Sequence, residues 1–247
     1  GNNLLTNNGL ISADVSGGTL NITAPASGGG SSIVNNNILE ARNGGTLVIS
    51  TNVNNAAGQI NAQNGSQVLQ NSVTITHGTL GSNGTGVIAA SSSASNFLDG
   101  VTLSGVLDMT NIANSRDRLI NANTVNGQIN IANGGIVSLD SGNSVGGSAV
   151  VNGTGVINLN DATARLAIDG SGTTTLGAAL TVRGQGNIGQ AINAAGNNVL
   201  TNNGLILADG GTLTNSATAT TRNPPAASRT LHVNGATLNV CTGNAST

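Results

Sequence analysis

The sequence predicts an all-β fold, a parallel β-helix (β-solenoid) with about 20 residues per coil and roughly 12 coils in 247 residues. Three observations carry that expectation. A short aliphatic and glycine motif recurs at coil spacing, the core has to be built almost without aromatics, and residues 196–214 nearly rewrite residues 1–20.

The motif is an aliphatic pair, a polar gap ending in a glycine turn, and a short alternating strand. It reads NNGLISADVSGGTLNI at 7–22, NNILEARNGGTLVI at 36–49, AGQINAQNGSQVL at 57–69, NGQINIANGGIVSL at 126–139 and NNGLILADGGTL at 202–213. Looser copies begin at Val73, Val101, Asn152 and Leu231. Apolar and polar residues alternate in Gln59-Ile60-Asn61-Ala62 and Thr46-Leu47-Val48-Ile49, and Asn-Gly or Gly-Gly marks the turns. No segment holds a 3.6-residue period over a helical length, so no helix is expected beyond a cap. Gly45 and Gly65 stand 20 residues apart, Leu39 and Ile60 21, Leu107 and Ile129 22. One coil cannot bury its own inner face, so coils of this length stack over a shared core. At strand spacing, 12 coils make a rod on the order of 55–60 Å. Asparagine, abundant before the strands, tolerates left-handed turns and is expected to hydrogen-bond from coil to coil.

Composition fits this architecture and excludes others. Charged residues are 6 % of the chain against about 25 % in ordinary domains, and Phe97 is the one aromatic. Yet 37 % is hydrophobic, nearly all of it Ala, Val, Ile and Leu, so the chain folds rather than staying disordered. Small and β-branched side chains suit a narrow core of stacked strands. Seven scattered arginines and no lysine make no nucleic-acid footprint, and no apolar run is long enough for membrane insertion as a helix. Cys241 has no second cysteine to pair with inside the chain. The chain opens at Gly1 with neither Met nor a leader, which reads as a processed product or an excised fragment.

The long echo shifts Gly1 to Gly196 and Asp14 to Asp209, a distance of 195 residues, and the second copy drops two residues before its Gly-Gly-Thr-Leu. At about 20 residues per coil that is roughly ten coils, a near-whole number that would keep strands in register. Residues 1–214 are therefore expected to form the solenoid array. The segment 215–230, with Arg222, Pro224, Pro225 and Arg229, is expected to be an irregular loop or excursion, because proline cannot serve an interior ladder. Residues 231–247 are expected to return as terminal strands or a cap. Residues 24–32 and 90–96 read as further breaks in the pattern.

The NxGxIxA…GGTLxI pattern resembles the repeats of filamentous-haemagglutinin-type adhesins and autotransporter passenger domains, over most of 1–214. The resemblance implies a secreted bacterial protein at the cell surface or outside the cell, folded as a β-helix and acting in an adhesin, fibre or biofilm matrix. Host-surface or matrix glycans are the partners it implies. Self-association into a filament or bundle follows from physics as well, because an open solenoid end exposes an unpaired strand and a slice of core.

No catalytic residue, cofactor or metal site is expected. Two alternatives stay open. One is a carbohydrate-active β-helix enzyme: Asp99, Asp117, Asp140 and Asp161 stand 18, 23 and 21 residues apart, near one coil each, with Arg116, Arg118 and Arg165 close in sequence. Such a column of acids could bind calcium or raise a carboxyl pKa for acid–base work. The other is a phage-tailspike-like binding shaft. Against an enzyme stand the absence of lysine, the isolation of His77 and His232, and the shortage of aromatic platforms for sugar. One cysteine and two distant histidines are too few for zinc. Threonine arrays of the kind that bind ice are expected only locally, at 74–76, 173–175 and 218–220.

Overall fold

The computed structural model describes residues 5–23, 32–142, 148–194, 196, 199–217, 230–233 and 237–240. Among them there is no helix; every element is a short strand, and every pairing is parallel. The alternation read from the sequence is the reason: aliphatic residues two apart put one row of side chains inside, and the Asn-Gly and Gly-Gly steps between runs turn the chain.

Each turn carries strands on three faces. On the first lie Thr6–Asn7, Ser32–Asn35, Asn52–Asn54, Thr74–Thr76 and Phe97–Asp99. On the second lie Leu10–Ala13, Ile38–Ala41, Gln59–Ala62, Thr79–Ser82 and Thr102–Leu103. On the third lie Thr19–Thr23, Thr46–Ser50, Gln67–Gln70, Val87–Ala90 and Val106–Met109. Strand Arg116–Val125 then bends from the first face into the second, and Gln128–Ile131, Ile136–Asp140, Ser148–Asn152 and Val156–Leu159 continue the cycle. Of the first-face strands of early turns, two to four residues long, the motif showed only Thr74–Thr76, in its looser copy at Val73, and not Thr6–Asn7, Ser32–Asn35 or Asn52–Asn54.

The core is a set of aliphatic columns. On the third face Leu47, Val68, Ile88, Leu107, Ile129, Ile157, Val182 and Ile206 stack at one register position and are all buried. A branched or linear aliphatic side chain of this size buried from water contributes about 1.5–3 kcal/mol, so the column compensates for the missing aromatics by repetition.

The solenoid has about eight turns, not twelve. The reason is turn length. Hydrogen bonds between equivalent positions of adjacent turns span 20 residues from Asn35 to Asn55, but 28 from Asn7 to Asn35 and 28 from Asn130 to Asn158, and the ladder register spans 24 from Arg183 to Leu207. Corners absorb extra residues without disturbing the ladders. The third-face ladder from Thr19–Thr23 to Thr230–Val233 covers nine strand spacings, roughly 43 Å along the axis.

One corner cassette is used in two places. Ala41-Arg42-Asn43-Gly44-Gly45 joins the second face to the third, and Ile131-Ala132-Asn133-Gly134-Gly135 joins the third to the first. Both pairs of central residues are left-handed, Asn43 at φ 56° and Gly44 at 79°, Asn133 at 54° and Gly134 at 75°. That is the type I′ pattern, which asparagine and glycine tolerate. The turns close through Gly45 N–H to Arg42 O at 2.9 Å and Gly135 N–H to Ala132 O at 2.8 Å. Gly45 itself is required by the stacking, since a Cβ there would stand 2.4 Å from the Ala13 carbonyl of the turn before.

The long echo does not return to the same face. Leu10–Ala13 lies on the second face and Thr19–Thr23 on the third. Their counterparts in strand Leu205–Asn215 lie on the third and the first: Leu205 pairs with Thr181, and Leu213 with Gly186. A shift of 195 residues is therefore a whole number of turns plus one face, and the expected near-integral register is overturned. Of the sequence breaks, 91–96 is a turn in the structure, 24–31 and 218–229 lie outside the described residues, and Thr230–Val233 and Thr237–Val240 pair in parallel with strand Leu205–Asn215.

Candidate functional site

The four spaced aspartates do not converge. Asp99 and Asp140 share a register position on the first face, with Ile120 between them and Asp169 after them. Asp117 sits on the same face two rungs from Asp169 but three register positions along, in line with the core residue Val137. Asp161 lies at the corner between third and first faces. There it caps the turn: one oxygen accepts Thr163 N–H at 2.8 Å, Thr163 Oγ1 at 2.7 Å and Ala164 N–H at 2.8 Å, and the other accepts Asn133 N–H at 2.7 Å. Desolvation pushes its pKa up, but those hydrogen bonds together outweigh it and leave the carboxyl below its ordinary value. Arg165 reaches Gln190 Oε1 at 3.3 Å, away from Asp99 and Asp140.

What assembles instead is a polar cluster on the outer side of the first face. Arg118 lies over the Phe97 ring, 4.5 Å from its centroid, and forms an ion pair with Asp140. Both charged side chains are nearly buried, at 9 % and 0 % exposure. The segment after Ile188 folds back over them. Asp169 accepts Ile192 N–H at 2.6 Å, Asn193 N–H at 3.1 Å and Asn193 Nδ2 at 2.8 Å, while the same amide donates to Ser138 Oγ at 2.7 Å. Arg116 donates to Asn193 Oδ1 at 3.5 Å, across 77 residues of sequence. Asn193 thus ties together three turns. Sequence reasoning missed it because nothing in Ala191-Ile192-Asn193 marks a returning strap. It also passed over Asp169, whose place in the column comes from corner insertions.

Asp117 is the exception. It is fully buried; one oxygen accepts Arg118 N–H at 2.9 Å and the other has no hydrogen-bond partner. Burial pushes its pKa up to about 8, against the lowering effect of that backbone N–H. A protonated acid facing the core fits a structural position better than a carboxylate presented to substrate.

A second polar system lies at the corner from first to second face. Asn7 Nδ2 donates to Asn35 Oδ1 at 2.7 Å, and Asn35 Nδ2 to Asn55 Oδ1 at 2.6 Å, all three residues being buried. Each amide also reaches a backbone carbonyl of the turn ahead: Ile38, Gln59 and Thr79 at 3.0, 3.1 and 3.4 Å. The coil-to-coil bonding expected of asparagine is present here and again from Asn158 to Asn130 at 2.8 Å.

The remaining candidates are dispersed. His77 stands at a corner with φ 59°, its ring against Gly100, and His232 is in strand Thr230–Val233 on another face. Thr74 and Thr76 are on the first face and Thr173–Leu176 on the second, so they form no common threonine plane; Thr218 and Thr220 fall outside the described residues, as does Cys241. Among the described residues no group of three or more His, Cys, Asp or Glu is placed to hold a metal ion, and no helix is long and apolar enough to cross a membrane. No protein-family model, curated protein or solved structure matches this chain.

Proposed function

We propose that this chain is a structural and adhesive segment of an extracellular fibre or bacterial surface adhesin, acting through length and stiffness and presenting its faces to host or matrix glycans. The observation that supports it most is the continuity of the build: uninterrupted parallel ladders run on all three faces from Thr6 to Asn215 over one aliphatic core. Polar side chains that fall inside or between rungs are spent on tying turns together, as in Asn7–Asn35–Asn55 and Asp169–Asn193–Ser138. Parallel strands held at both edges resist extension along the axis, and a weakly charged surface suits lateral contact. Display of the chain on the surface of a non-adherent bacterial carrier is expected to raise attachment to glycan-coated surfaces or between cells. Attachment no better than that of the bare carrier removes the adhesive reading. Release of reducing ends from polysaccharides by the purified chain would replace it with the enzymatic one.

A further inference from the structure

Nine Asn-Gly steps punctuate the chain. Eight are among the described residues, at Asn8, Asn43, Asn64, Asn83, Asn126, Asn133, Asn152 and Asn203, and the ninth, at Asn234, falls outside them. This dipeptide carries a reaction of its own. The glycine nitrogen attacks the asparagine carboxamide carbon, and glycine has no side chain to block the approach. The new N–C bond closes a succinimide, the bond from that carbon to the carboxamide nitrogen breaks, and ammonia leaves with the proton of the glycine N–H. Water then opens the ring at one carbonyl or the other, giving isoaspartate or aspartate. Two restraints in a folded chain oppose the attack: a hydrogen bond that holds the glycine N–H, and hydrogen bonds that hold the carboxamide.

Seven of the eight described steps are held in one of these ways. Three glycine N–H groups donate to a hydroxyl of the following turn: Gly44 to Ser66 Oγ at 2.9 Å, Gly65 to Thr85 Oγ1 at 3.1 Å and Gly134 to Thr163 Oγ1 at 2.8 Å. Gly9 and Gly204 donate to the side-chain oxygens of Asn7 and Asn202, each at 3.1 Å. Gly127 donates to the Leu103 carbonyl at 3.0 Å. At Asn83 the carboxamide itself is fixed, since it accepts Asn64 N–H at 2.8 Å and donates to Gln63 Oε1.

Asn152 has neither restraint. It is exposed at the end of strand Ser148–Asn152, and among the described residues neither its carboxamide nor the Gly153 N–H makes a hydrogen bond. The glycine behind it is required by the stacking. Gly153 has φ 110°, and a Cβ there would stand 2.0 Å from the Val125 carbonyl of the turn before. The fold thus keeps a labile step in place and leaves it unheld.

We propose that Asn152–Gly153 is a self-modification site of the folded chain, where Asn152 passes through a succinimide to isoaspartate and aspartate ahead of every other described Asn-Gly step. Conversion puts a carboxylate on the second face, and the isoaspartyl product adds a methylene to the backbone where strand Ser148–Asn152 meets its corner. This goes beyond the structural and adhesive reading and does not depend on it.

The test is incubation of the purified full chain in mildly alkaline buffer, with peptide mass spectrometry following each Asn-Gly step over time. Asn152 is expected to convert at least tenfold faster than Asn43, Asn64 or Asn133. In urea-unfolded chain the same steps are expected to converge to similar rates, because the restraints are gone and glycine follows each asparagine. Thr163→Val removes one hydroxyl and is expected to speed Asn133 severalfold, with Asn43 and Asn64 unchanged; Thr163→Ser keeps the hydroxyl and the parental rate. If Thr163→Val speeds all three, the variant has loosened the fold, and Thr85→Val read at Asn64 makes the comparison instead. The proposal is overturned if Asn152 converts no faster than the held steps, if another described step converts first, or if the same order of rates persists in urea. A rate that does not respond to loss of its hydroxyl overturns it as well.

Discussion

The first four turns and the turns from Arg116 onward solve the same problem differently. Both must place polar groups where a solenoid has little water. The early turns use identical neutral amides, Asn7 donating to Asn35 and Asn35 to Asn55, with all three also donating to a carbonyl of the turn ahead. The later turns use charge: Arg118 with Asp140, Asp169 with the strap at Ile192–Asn193, and Asp117 alone. A ladder of amides is self-complementary, so any number of rungs can be satisfied. Buried charges need a specific partner each, and a missing partner leaves the whole desolvation penalty in place. The later region is thus more specific and more fragile.

That contrast can be broken experimentally. The largest effect is expected from Arg118→Ala, which leaves Asp140 buried without its ion pair and should cost about 3–5 kcal/mol. Urea unfolding measures it, and the double variant with Asp140→Ala should recover much of the loss. Full additivity of the two single changes would show that the pair does not act as a unit. In the early turns, Asn35→Ala orphans the Asn7 amide and the Asn55 carbonyl, at about 1–3 kcal/mol for each group left unpaired. A loss no greater than that of an exposed Asn→Ala change would mean the ladder carries no stability.

Asp117 sharpens the comparison through pH. Its folded pKa is raised from 3.8 to about 8, so the folded state holds a proton the unfolded state gives up. The stability associated with that proton is fully present below about pH 4 and is lost as pH rises toward 8, with a slope of at most about 1.4 kcal/mol per pH unit. Asp117→Asn is expected to flatten the curve across that window and to exceed the parent in stability at pH 8. An unchanged slope would place the titration elsewhere. The smallest effect is expected from Asn158→Ala: its bond to Asn130 lies on an outer face, half-buried, and is worth about 0.5–1.5 kcal/mol. Thermal melts at matched pH resolve it from zero.

How much of this was legible follows from which residues carry it. Alternating aliphatics and Asn-Gly steps announced the strands around Leu39, Ile60 and Ile129, and these sit in the core as their pattern implied. The asparagine ladder was legible too, since one residue type recurs at coil spacing. The number of turns was not, because corners such as 109–116 lengthen the coil without altering the strands that flank it. The acid column failed for the same reason. Constant spacing in sequence maps onto one column only if every corner is equally long, so Asp117 and Asp161 moved to other positions and Asp169 took a place among them. The strap at Asn193 had no periodic signature at all.

The one-face offset of the 195-residue echo has a consequence for any polypeptide that iterates the unit. Each successive copy of a surface feature would appear rotated by about 120° around the rod axis, and three units would be needed before it faced the same way again. A ligand patch carried once per unit would wind around the shaft as a slow spiral stair, reachable from every side.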